Sequence, residues 1–171
     1  MIEHSSLRNA ESLIRFGAEK LSSISNVPRL EAEVLLSNLL KINPIKFHTD
    51  DIGISSKIMD KFESMIESRF KGMPIAYLIG KKEFWSLDFE INPSVLVPRP
   101  ETELLIENAI ELLKDHESPR ILELGTGSGI ISIVLYKKLV TPEITATDIS
   151  DEALNVAKKM LIDIKSKTLI F

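Results

Sequence analysis

Apolar residues recur at helical spacing from Ser5 to about Leu21. Leu7, Ala10, Leu13, Ile14 and Leu21 share one side, and Arg8, Glu11, Arg15 and Lys20 occupy other faces. An amphipathic helix follows. Pro28 stands where a first-turn proline belongs, and Ala32, Leu35, Leu36 and Leu39 then form a second apolar face that Asn43-Pro44 should end. After a short piece near Ile45 to Thr49, the stretch from Ser55 to Lys71 places Ile58, Phe62, Met65, Ile66 and Phe70 together, with Gly72 as a C-terminal cap and Pro74 beyond. The first ~75 residues therefore predict a small helical bundle.

The period then changes from 3.6 to 2. In "FWSLDFEI", Trp85, Leu87, Phe89 and Ile91 alternate with Ser86, Asp88 and Glu90, the signature of extended chain with one covered face. Residues 82 to 97 read as strands or a hairpin joining two domains, with Asn92-Pro93-Ser94 as a turn inside them. Beyond "PRP" at 98 to 100, Leu105, Ala109 and Leu112, flanked by Ile106, Ile110 and Leu113, predict a well buried helix over Glu101 to Leu113. "RILEL" is then a strand, Ile130 to Lys138 a helix and "EITATD" a second strand. Ser150 caps a further helix that opens with Asp151 and Glu152, and "TLIF" begins a third strand. Strand, helix, strand, helix is the order of a doubly wound parallel sheet. Two or three strands are fewer than such a sheet uses, so the expectation is a piece of a longer polypeptide.

Composition narrows the function classes. With 21 Lys and Arg against 25 Asp and Glu, the net charge of −4 leaves no electrostatic footprint for nucleic acid, and none is expected as a direct partner. There is no cysteine, so disulfides, thiolate metal sites and thiol nucleophiles are excluded, and a reducing compartment, by default the cytoplasm, fits. The N-terminus lacks a secretory signal, and no apolar run approaches the ~20 residues of a membrane span. His4, His48 and His116 are isolated among polar neighbours and read as solvated side chains, and no metal site is expected.

The candidate chemistry lies in "ILELGTGSG" at 121 to 129. A glycine turn between strand and helix lets a ligand approach the backbone. Dinucleotide folds space the glycines as G-x-G-x-x-G and hold a pyrophosphate at the helix start. Here Gly125, Gly127 and Gly129 are evenly spaced and follow Glu123, a carboxylate that would repel a phosphate and attract a cation. S-adenosylmethionine carries an ammonium, a sulfonium and no phosphate. Asp148, about 20 residues past the loop, stands where doubly wound folds place the acid that accepts ribose hydroxyls. The NAD reading shares that acid, and a plain turn with a solvated Glu123 is the remaining alternative. No Gly-Lys-Ser/Thr follows, which excludes a P-loop.

Together these residues resemble the bacterial release factor glutamine methyltransferases, the HemK/PrmC group, across nearly the whole chain. Arg69, Gly72, Pro74, Tyr77 and Gly80 look like that family's helix-to-hairpin junction, and Phe84 with the run behind it like its linker hairpin. "LVPRPETE" at 96 to 103 is the most specific piece, and "LELGTGSG" and "ATDIS" stand at the methyl-donor loop and ribose acid. The resemblance implies a helical substrate-recognition domain over residues 1–80, a β-hairpin linker over 81–97 and the N-terminal part of a Rossmann-like class I methyltransferase domain over 98–171. It also implies S-adenosylmethionine-dependent methylation of the glutamine side-chain amide in the Gly-Gly-Gln loop of class 1 peptide release factors. Carried over by position, Gly125, Thr126, Gly127, Ser128 and Gly129 face the donor, with Glu123 near its methionine end and Asp148 on the ribose. Pro98, Arg99, Pro100, Glu101, Thr102 and Glu103 line the junction near the pocket, whereas Tyr77 and Trp85 read as packing residues of the linker. The family's amide-binding Asn-Pro-Pro-Tyr does not occur in these 171 residues, so no catalytic residue is assigned and the chain by itself is expected to be inactive. Two other readings remain: a release-factor binding module without catalysis, and methylation of a nucleic-acid amino group.

Overall fold

The structure, a computed structural model, describes residues 9–164 and 168–171. His4 and the expected helical turn over 5–8, with Leu7 and Arg8, lie outside them. The chain divides into two compact units, one ending at Ile79 and the other running Gly80–Phe171.

In the first unit, α1 (Ala10–Leu21) starts at Asn9, whose side chain accepts from the Ser12 N–H at 3.0 Å. Helix α2 (Pro28–Leu40) has its proline in the first turn, where no N–H is needed. It stops at Lys41, which turns left-handed (φ 55°), before the Asn43-Pro44 pair expected to end it. That pair instead opens a 3₁₀ turn (Pro44–His48), with the Asn43 side chain accepting from the Ile45 N–H. Helix α3 (Ser56–Phe70) ends as its glycine predicts: Gly72 has φ 98°, its N–H donates to Arg69 O, and the Met73 N–H donates to Ser68 O. The face buried by α3 is Met59, Phe62 and Ile66; Ile58 and Met65 are partly buried, and Phe70 is exposed. Leu13, Ile14, Leu21, Leu35, Leu36, Phe62 and Ile66 form the centre of this core. Its margin is clamped by Arg69, whose guanidinium grips both oxygens of Glu31 at 2.9 and 3.0 Å. A short helix α4 (Ile75–Ile79) completes the unit.

The second unit opens with an antiparallel hairpin, β1 (Lys81–Phe84) and β2 (Leu87–Glu90). Its turn is Trp85-Ser86, both at positive φ (53° and 58°) as a two-residue primed turn requires. Asn92-Pro93-Ser94, expected inside the hairpin, makes a separate turn after it, with Asn92 accepting from the Ser94 and Val95 N–H groups. Trp85, read as a packing residue, is half-buried at the turn; Phe84, Phe89, Ile91 and Val95 are the residues that bury.

Helix α5 (Glu101–Leu113) is not the well buried helix expected there. Ile106 is its one fully buried residue, while Leu104, Leu105 and Leu112 are exposed at 62%, 56% and 76%. Among the described residues its substantial neighbour is α6 (Ile130–Lys138), so a single stripe is covered. Periodicity reveals an apolar face but not what lies against it.

Strands β3 (Arg120–Leu124), β4 (Glu143–Thr147) and β5 (Leu169–Ile170) form a parallel sheet in that order, with α6 and α7 (Asp151–Ile164) in the connections. The second unit is thus α/β, and the first is all α. Register pairs Ile121 with Ile144, Glu123 with Ala146, and Ile144 with Leu169. Ile144, Ala146 and Leu169 are buried on that face, while Leu122, Leu124 and Ile170 on the other are exposed. Glu123 thus stands on the covered face at the carboxyl end of β3, where open α/β sheets place ligands.

Candidate functional site

The loop from Gly125 to Gly129 joins β3 to α6 and is hooked onto β4. The Gly125 and Thr126 N–H groups both donate to Thr147 O, at 2.8 and 2.9 Å, and the Gly129 N–H donates to Thr126 O. All three glycines have positive φ. At Gly129 a Cβ would also meet Ile133, Phe171 and Ala157 at 3.0 to 3.1 Å, whereas at Gly127 it would point into open space. Glycine is needed at the first position for packing and leaves room at the second for a ligand's approach.

Glu123 is partly buried, and three donors converge on one of its oxygens. Oε2 accepts from Thr126 Oγ1 at 2.9 Å, from the Ser132 N–H at 3.1 Å and from Ser132 Oγ. No hydrogen bond to Oε1 is made among the described residues. Burial pushes the Glu123 carboxyl above its ordinary value; the Ser132 and Thr126 hydrogen bonds pull it down, and nearby Asp148 pushes it further up. Gly129, at the helix N-cap, has no side chain to offer the first-turn N–H groups of α6, and Glu123 performs that capping from β3.

Asp148, just past β4, receives the Gly127 N–H on Oδ2 at 2.8 Å and the Ser150 N–H on Oδ1 at 3.0 Å. The Ser150 and Gly127 bonds hold its carboxyl below the ordinary value. Ser150 in turn caps α7, its hydroxyl accepting from the Ala153 N–H at 3.1 Å.

A crevice of about 130 Å3 is lined by Glu123, Gly125, Thr126, Gly127 and Ser128 and by Pro98, Arg99 and Thr102. Gly129 and Asp148, expected at the donor, are not among the lining residues; Asp148 holds the loop through the Gly127 N–H, and Gly129 through its own N–H to Thr126 O. Pro100, Glu101 and Glu103 are exposed and outside the lining; the two acids sit in the first turn of α5, where the helix's positive end favours them. Sequence reasoning missed Leu96, Ile130 and Ile131, which add apolar lining, and Ser132, which anchors Glu123. Ser132 had one signal: a helix entered from glycine needs an acceptor from elsewhere for its first-turn N–H groups.

Comparison with known proteins agrees with this layout. Residues 12–80 match the family "PrmC N-terminal domain", and residues 100–170 match "Methyltransferase small domain". The chain is 40% identical over 142 residues to a protein of Coxiella burnetii named release factor glutamine methyltransferase, covering 82% of this chain and 51% of that protein. It is 41% identical over 152 residues to one of the same name from Buchnera aphidicola subsp. Schizaphis graminum, covering 88% of this chain and 54% of that protein. Among solved structures, the release factor-specific protein-(glutamine-N5) methyltransferase of Alicyclobacillus acidocaldarius is similar at 32% identity and a TM-score of 0.30, covering 48% of this chain and 53% of that one. The chain spans about half the length of the curated relatives it matches. With both units matched and this identity across most of its residues, the chain belongs to the release factor glutamine methyltransferase family.

Proposed function

We propose that the glycine-loop crevice binds S-adenosylmethionine and serves methylation of the glutamine side-chain amide in the Gly-Gly-Gln loop of class 1 peptide release factors. The observation that carries this reading is the Glu123 carboxylate, which lines the crevice and has three donors on one oxygen and none among the described residues on the other. A dinucleotide would bring its phosphates against an anion, whereas a donor with ammonium and sulfonium groups meets a counter-charge. The open space in front of Gly127 and the apolar side chains of Leu96, Ile130 and Ile131 suit an uncharged nucleoside body. Asp148 retains lone pairs beyond the two it gives to backbone N–H groups, enough for ribose hydroxyls. The donor supplies a methyl group made electrophilic by its sulfonium.

An amide nitrogen is a weak nucleophile because its lone pair is delocalised into the carbonyl. Acceptors placed on its hydrogens and in-line positioning must therefore lower the barrier. The family resemblance assigns that task to Asn-Pro-Pro-Tyr, which these 171 residues do not contain. On this reading the chain binds the donor without transferring its methyl group. A chain without cysteine suits a reducing compartment, and the cytoplasm is the location the reading calls for.

Calorimetry with S-adenosylmethionine and with NAD tests the first part: binding of the methyl donor and not of NAD is expected, and the reverse sinks the proposal. Glu123→Gln removes a charge-assisted contact worth about 1.5–3 kcal/mol, so affinity falls roughly tenfold to hundredfold. Incubation with labelled donor and a purified release factor tests the second part, and label appearing on the release factor would overturn the assignment of inactivity to these residues.

A further inference from the structure

We infer that Ser132 is a positioning residue of this crevice: by donating from both its N–H and its hydroxyl to Glu123 Oε2, it fixes the carboxylate so that Oε1 is the atom that meets the ligand's cationic group. The inference rests on the S-adenosylmethionine reading and deepens it. A carboxylate with free rotation presents either oxygen. Three donors on Oε2 and none on Oε1 among the described residues remove that symmetry.

The anchoring donors are shielded from water. Ser132 is 1% exposed and Thr126 6%, so neither bond faces solvent competition. A serine inside a helix often turns its hydroxyl back onto a carbonyl of the preceding turn. Ser132 instead reaches across to β3, which ties the start of α6 to the end of that strand. The charged groups around Glu123 are Asp148, just past β4, whose like charge opposes its ionisation, and Arg99, which lines the same crevice. The two hydroxyls and the Ser132 N–H are the contacts that favour the ionised form. Removing the Ser132 hydroxyl therefore loosens the carboxylate and lets it keep its proton to higher pH.

The test follows the Glu123 δ-carbon by NMR titration in the 171-residue protein labelled at glutamate, with calorimetry of S-adenosylmethionine at pH 6 and pH 8. Ser132→Ala is expected to raise the Glu123 midpoint by about one pH unit, the equivalent of one hydrogen bond to a charged group. It is also expected to weaken donor binding, by the larger factor at the lower pH. Ser132→Thr, which keeps the hydroxyl, restores both, and carries the test alone should the alanine variant not fold. An unchanged midpoint in Ser132→Ala, or a shifted one in Ser132→Thr, overturns the inference. If the midpoint moves as expected but the wild-type protein binds no S-adenosylmethionine, Ser132 still positions Glu123 and the donor reading is what fails.

Discussion

At the scale of single residues, Glu123 and Asp148 are carboxylates set in opposite directions by their surroundings. Glu123 is raised chiefly by burial, and Asp148 is lowered chiefly by backbone N–H groups. An acid whose folded-state pKa exceeds its unfolded value binds its proton more tightly when folded. The stability contributed by Glu123 is thus complete below about 4.5 and is lost as pH rises through the folded value. The contribution of Asp148 is present above about 3.8 and disappears as pH falls through its depressed value. Glu123→Gln, which retains an acceptor for Ser132 without the charge, is expected to melt above the wild type at pH 7, with the gap closing towards pH 4. Thermal melts across that range check it; a wild type that outlasts the variant at neutral pH would show that the ionised carboxylate stabilises the fold. A gain in stability alongside a loss of affinity is the mark of a group kept for binding rather than folding.

At the scale of elements, the helical unit is built around one close approach. A Cβ on Gly17 of α1 would lie 2.9 Å from Ile66 Cδ1 and Phe62 Cζ and 3.0 Å from Ala32 Cβ. The ends of Ile66 and Phe62 can shift, but the methyl of Ala32 moves only with α2. Gly17→Ala gains about 1 kcal/mol of helix propensity. It loses roughly 1–3 kcal/mol by overpacking, so a net drop in melting temperature is expected by circular dichroism, and an unchanged or higher value would show that α1 and α2 can separate freely. Much of this unit is legible in the chain because its signals are local. Pro28 and Gly72 mark helix ends here, as Ser150 does in the second unit, by chemistry acting within a few residues. The hairpin turn is not, since Trp85-Ser86 holds two positive φ values without the glycine or asparagine that ordinarily announces them. The exposure of α5 and the role of Ser132 depend on what lies alongside in space, nine residues from Glu123 in the second case, which periodicity does not encode.

At the scale of the molecule, the two units have separate hydrophobic cores, and the crevice is lined entirely by residues of Gly80–Phe171. Scanning calorimetry is expected to resolve two transitions, of which S-adenosylmethionine raises the one belonging to the second unit by mass action. A single transition shifted as a whole would mean that the units unfold together. The apolar side chains of Leu122, Leu124 and Ile170 share the exposed face of the sheet, and those of α5 add to the exposed apolar surface of this unit. Such surface is what association draws on, so these melts belong at low protein concentration.

The bond from the Gly127 N–H to Asp148 has a further consequence. Together with the two N–H groups held by Thr147 O, it braces the glycine loop that lines the crevice by interactions internal to the protein. A guest entering such a wall need not recruit and freeze a wandering segment, so little of its intrinsic affinity is forfeited to ordering, and capture resembles a key meeting a finished lock.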